Sequence, residues 1–133
     1  MRAISILIIE RDADTRRWLR EGLARLGHRV TTASSAEEAC EILRHSDVDV
    51  VLMNPRMPAM SGQTLYHVVI SIWPGLRSRF AVMSSDPNVS DMEPWLRLYR
   101  VPVIKKPFEL HEVQALLAEL TADEPREANG ENR

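Results

Sequence analysis

Apolar and polar positions along the chain alternate between two rhythms. Ser5 to Ile9 is a short, Ile-rich apolar run and reads as a buried strand. A helix follows from about Asp14, with Thr15, Leu19, Leu23 and Leu26 on one face and Gly27 as its C-terminal stop. Arg29 to Ala33 is β-prone. Ser35 then starts a second helix as N-cap, with Glu38 reaching back in a capping box and Ala36, Ala39, Cys40 and Leu43 turned inward. Val48 to Met53 is the third strand, and Pro55, Pro58 and Gly62 require a loop after it. A third helix over Gln63 to Ile72 is stopped by Trp73-Pro74-Gly75. Phe80 to Met83 is the fourth strand. A short helix near Asp91 to Tyr99 tolerates Pro94 only in its first turn. Val101 to Ile104 is a short fifth strand, and Glu109 to Leu120 is the last helix, with Leu110, Val113, Leu116, Leu117 and Leu120 apolar.

Five strands alternating with five helices predict an α/β fold: one parallel sheet covered by helices on both faces. In such folds the functional loops gather at the carboxyl ends of the strands. Glu10 to Asp12, Asn54 to Arg56, Ser84 to Asp86 and Lys105 to Pro107 all lie at such ends. No repeat or second domain is visible. The pattern predicts one domain over 1–121 and a disordered tail over 122–133, which lacks large apolar residues.

Composition narrows the function classes. A length of 133 residues suits a single core, and 44% hydrophobic with 27% charged residues is ordinary for a soluble domain. The net charge of −2 gives no general attraction to nucleic acid, and no basic helix or helix-turn-helix segment stands out. No apolar run is long enough to span a bilayer, and the N-terminus does not read as a signal peptide. Cys40 has no second cysteine to pair with, which fits the cytosol and an inert core thiol. The four histidines show no metal-ligand spacing, and no Gly-rich phosphate loop supports a flavodoxin-like cofactor binder.

One constellation carries more. The run Val50-Val51-Leu52-Met53-Asn54-Pro55-Arg56-Met57-Pro58-Ala59-Met60-Ser61-Gly62 resembles the phosphoacceptor segment of response-regulator receiver domains. There a hydrophobic strand ends in an aspartate followed by a Met-Pro-x-Met-x-Gly loop. Glu10 and Arg11 stand where receivers carry a magnesium-binding acidic pair. Asn54 follows 44 residues beyond Glu10, Ser84 another 30 on, and Lys106-Pro107-Phe108 begins 22 beyond Ser84. The order and spacing match the family over Ile4 to Leu120. The resemblance implies a flavodoxin-like fold, a place in two-component signalling, and a cis bond before Pro107.

Three departures mark a degenerate receiver. Asn54 replaces the acceptor carboxylate, and an amide has no anionic oxygen to attack phosphorus. Arg11 replaces a magnesium ligand, and Val103 stands where many receivers carry a Tyr or Phe. The family pattern of three carboxylates and one lysine sums to −2, whereas Glu10, Arg11, Asn54 and Lys106 sum to +1, or zero with Asp12. Magnesium binding is therefore expected to be lost. Arg11 is expected to fill the metal's space, and Lys106 to pair with Glu10 or Asp12. Pro55 lacks the N–H through which Asn54 would deamidate, so spontaneous repair is closed.

These readings imply a stand-alone, cytoplasmic pseudo-receiver that acts by protein–protein interaction, with a histidine kinase or another regulator as partner. It would be a monomer or weak homodimer through the fourth helix, fifth strand and fifth helix. Trp95, Tyr99 and Val103 are the candidates for that partner face. The rival reading keeps phosphotransfer, with Asp12 as the acceptor.

Overall fold

The computed structural model describes residues 2–86, 88, 89 and 93–122. Five strands form one sheet: β1 (Ser5–Ile9), β2 (Arg29–Ala33), β3 (Val50–Met53), β4 (Phe80–Ser84) and β5 (Val103–Lys105). Their order is β2-β1-β3-β4-β5, and every pairing is parallel. The α-helices are α1 (Ala13–Arg25), α2 (Ala36–His45), α3 (Gly62–Ile72), α4 (Pro94–Leu98) and α5 (Leu110–Thr121), with a 3₁₀ turn over Pro74–Leu76.

Strand alternation sorts the core into two layers. Leu7, Ile9, Val51, Met53 and Val82 face α2, α3 and α4. Ile6, Ile8, Val50, Leu52 and Met83 face the other way, toward Leu19 and Leu23 of α1 and Val113 and Leu117 of α5. β1, β3 and β4 are covered on both sides, which is why their sequences are continuous apolar runs.

Local chemistry moved several boundaries. Helix α1 starts at Ala13 because the Asp12 carboxylate caps it, accepting from Thr15 N at 2.9 Å and Thr15 Oγ1 at 2.6 Å. It ends at Arg25, with Gly27 at φ 98°, so Leu26 sits beyond the last turn and is 46% exposed rather than inward. Ser35 caps α2 as expected, but Glu38 reaches Ser34 N and Oγ instead of closing the box on Ser35. β3 begins at Val50, because Asp49 turns its N–H to Ser5 O and accepts Ser5 N at its side chain. β5 is shifted to Val103–Lys105, since Val82 N bonds Pro102 O and proline cannot donate in return. Within the predicted fourth helix, residues 91 and 92 lie outside the described residues, as does the predicted tail from 123 onward.

The largest correction concerns Trp95. It is buried rather than presented to a partner: its ring lies 5.4 Å from Tyr66, and its Nε1 donates to Glu93 Oε1 at 3.1 Å. Tyr66 is the reason. Its fully buried ring collects Phe80, Trp95 and Tyr99 around it, and its hydroxyl donates to Arg77 O. Tyr99 and Val103 are half-buried. On this side Leu98 and Ile72 are exposed large apolar residues.

Helix α4 closes with Arg100 at φ 57°, where Val101 N returns to Leu96 O. This left-handed position costs an L residue about 1–2 kcal/mol. Arg100→Gly is expected to stabilise the fold by about 0.5 kcal/mol, after glycine's larger unfolded-state entropy is offset. Chemical denaturation should show a higher midpoint with an unchanged slope.

Candidate functional site

The sheet reverses its order between β1 and β3, and the loops leaving their carboxyl ends diverge there into a crevice. A cleft of about 300 Å³ opens at this point, lined among others by Glu10, Asn54, Ser84, Asp86 and Lys106. Glu10 occupies its floor. It is the first residue past β1, its backbone N–H bonds Ala33 O, and it is completely buried. Asn54 takes the equivalent place after β3, held by Asn54 N to Ile9 O at 2.8 Å. The loop that follows is pinned by Gly62, whose N–H bonds Pro55 O. A Cβ at Gly62 would lie 2.8 Å from Pro55 Cα, so no larger residue fits without moving that loop.

Three donors converge on the buried carboxylate. Lys106 Nζ donates to Glu10 Oε1 at 2.7 Å. Asn54 Nδ2 and Asp12 N both donate to Glu10 Oε2 at 3.0 Å. Burial alone would push the Glu10 carboxyl up. The hydrogen bonds from Lys106, Asp12 and Asn54, with the charge of Lys106, outweigh it and hold the group below the usual carboxylate range. Asn54 is used at both ends, because its Oδ1 accepts Arg56 N at 2.9 Å. The Lys106–Pro107 bond is cis, and Lys106 N bonds Ser84 O at 2.8 Å, which ties the end of β5 to β4.

The remaining residues sort clearly. Ser84 is buried and its Oγ accepts Asp86 N. Asp12 lies at the rim with its carboxylate turned to the start of α1, and the hydrogen bonds from Thr15 keep its carboxyl low. Arg11 lines the cleft but is exposed, and it makes no hydrogen bond or ion pair with any described residue. The expectation that Arg11 fills the metal's place is therefore wrong. Lys106 and Asn54, which follow β5 and β3, are the side chains that donate to Glu10 on the floor, whereas Arg11 is exposed.

Sequence reasoning placed Arg56 and Asp86 at the strand ends but gave them no role. Arg56 Nη2 and Asp86 Oδ2 meet at 3.3 Å across the mouth of the cleft. Each lies two positions beyond a residue already singled out, Asn54 and Ser84, which was the available signal. Arg16 was missed; its Nη1 donates to Glu10 O at 2.7 Å and braces the same turn. No group of three or more His, Cys, Asp or Glu placed to hold a metal occurs among the described residues.

Comparison with known proteins agrees with the geometry. Residues 6–118 match the response regulator receiver domain. The chain belongs to that family. It is 38% identical over 58 residues to the transcriptional regulatory protein AfsQ1 of Streptomyces coelicolor, across 44% of this chain and 26% of that protein. It is 29% identical over 110 residues to the probable transcriptional regulator ycf27 of Guillardia theta, across 83% of this chain and 42% of that one. The chain thus spans less than half the length of these relatives. Its fold is that of the chemotaxis response regulator CheY4 of Vibrio cholerae, at TM-score 0.79 and 17% identity over 90% of this chain and 99% of that one. This receiver domain therefore has the fold of its structural neighbours, with a cis Lys106–Pro107 bond and Lys106 lining the cleft.

The three donors on Glu10 make a specific demand. In Asn54→Asp, a second carboxylate replaces the amide donor 3.0 Å from Glu10 Oε2. Like charges raise the new group's pKa in the folded state above its unfolded value near 3.9. The penalty is therefore fully present at neutral pH and relieved as pH falls. The variant should be less stable than the parent by about 1–3 kcal/mol at pH 7. The gap should narrow as pH is lowered toward about 4, in denaturation curves recorded side by side.

Proposed function

We propose that this receiver domain works in two-component signalling as a phosphorylation-independent interaction module. The observation that carries this reading is the engagement of Glu10. Its two oxygens are already occupied by Lys106, Asn54 and the Asp12 backbone.

Phosphoryl transfer to a receiver requires an aligned nucleophile and a cation to offset charge on the moving group. Magnesium demands oxygen ligands in a near-octahedral set. Here the buried carboxylate that would anchor such an ion is neutralised from within, the Arg11 side chain supplies no oxygen, and Asn54 offers an amide whose oxygen already accepts Arg56 N. These residues do not fit a magnesium ion. The domain is then neither a phosphoacceptor nor a magnesium protein. Its effect passes through contact with a signalling partner, a histidine kinase or another regulator, in a cytosolic setting. No described helix is long and apolar enough to cross a membrane.

The reading is tested by incubating the chain with magnesium and a small phosphodonor, then measuring the intact mass. No phosphoryl adduct is expected. An adduct would contradict the proposal, and mapping it to Asp12 would favour the rival acceptor. That rival is disfavoured by geometry, since the Asp12 carboxylate is committed to capping α1.

A further inference from the structure

We infer that the groove at the amino end of β3, between the carboxyl ends of α2 and α3, is a docking surface of this domain. Its occupant is a basic segment of a partner protein in which a large aliphatic side chain stands beside an arginine. The inference deepens the interaction reading above and rests on it.

Ile72 is the starting observation. It is the last residue of α3 and is 57% exposed, while its neighbour Trp73 is half-buried against the core. The groove they border has a volume of about 500 Å³, and Leu43 of α2 forms part of its wall. An exposed aliphatic side chain and an indole beside a concavity offer apolar area that a partner can cover. The groove lies at the opposite end of the sheet from the Glu10 cleft, because Asp49 precedes β3 and Asn54 follows it.

Charge selects the occupant. Asp47 and Asp49 line the groove against one cation, Arg79, whose Nη1 donates to Asp49 O at 3.4 Å. The Asp49 carboxylate is committed to Ser5 N at 2.8 Å. Asp47 is exposed and makes no hydrogen bond or ion pair with any described residue. Both helices also end here, at Ser46 and Trp73. Each carboxyl end carries roughly half a negative charge. Neither is offset by a cation of its own last turn. Helix α3 has no basic residue there, and Arg44 and His45 of α2 turn back onto Glu41 at 2.6 Å and 2.9 Å. The groove is therefore negative with an apolar wall. A guanidinium beside Asp47 and the Trp73 ring gains both a carboxylate and an aromatic partner. The adjacent aliphatic side chain is then left to Ile72 and Leu43. A second copy docked groove to groove would set carboxylates against carboxylates and repel itself.

The test is an NMR titration of the ¹⁵N-labelled full chain with a short synthetic peptide in which arginines flank a leucine. Its glutamate counterpart and spermine are titrated in parallel. The arginine peptide should shift the Trp73 indole and the backbone signals of Asp47 and Ile72, and rising salt should weaken it. Asp47→Lys and Ile72→Ser should each lower its affinity about tenfold. Both side chains are exposed, and an unchanged amide spectrum of each free variant separates lost binding from lost folding. Absence of binding overturns the inference, as does equal binding of the glutamate peptide. So do peptide shifts centred on Trp18 or Leu98, and concentration-dependent shifts at Ile72 without peptide, which mark a second copy. Spermine matching the peptide would reduce the groove to a charge patch and overturn the aliphatic contact. A phosphoryl adduct in the mass experiment would sink the phosphorylation-independent reading and leave the groove result untouched.

Discussion

A carboxylate with no access to water must be neutralised by the protein that buries it, and Glu10 sets that constraint at the carboxyl end of β1. The demand reaches into every neighbouring element. It fixes Lys106 on β5's exit loop, Asn54 at the end of β3 and the backbone at Asp12 where α1 begins. Since Lys106 N is also bonded to Ser84 O, β4 is joined to the same network. The cleft is therefore organised by an internal cation and an amide. Asn54 is a working donor in that arrangement, so its amide helps to satisfy the buried Glu10.

Much of this was legible in the chain. The alternating pattern carries the parallel sheet because β1, β3 and β4 are buried on both faces and must be apolar throughout. The loops at strand ends carry the cleft because the topology leaves them nowhere else to converge. What the pattern could not carry was direction at short range. Leu26 satisfies the helical period, yet it falls one residue past the end of α1. Glu38 has the spacing of a capping box but finds a better partner in Ser34, one position earlier. Charge counting left Lys106 a choice of Glu10 or Asp12. The structure decides it because Asp12 turns its carboxylate to the helix start while Glu10 points to the cleft floor.

The aromatic residues show the same limit. Trp95 and Trp18 each lie beside an apolar stripe, and nothing in the spacing says which one is covered. The answer depends on Tyr66, distant in sequence from both, which gathers Trp95 and Tyr99 into one cluster and leaves Trp18 to Phe108 alone. The exposed tryptophan is thus on the α1 side of the sheet, and the one on the α4 side is covered. Lys106 lines both the cleft and the concavity beside Trp18.

The central claim is that the Glu10 cleft reads neither a divalent cation nor a phosphoryl group. The most direct measurement is an amide NMR titration of the native chain with magnesium, followed by beryllofluoride as a phosphoryl mimic. The account predicts that signals from Glu10, Asn54, Ser84 and Lys106 stay in place through both additions. Specific, saturable shifts at those residues would contradict it and return the domain to the phosphate-responsive receivers.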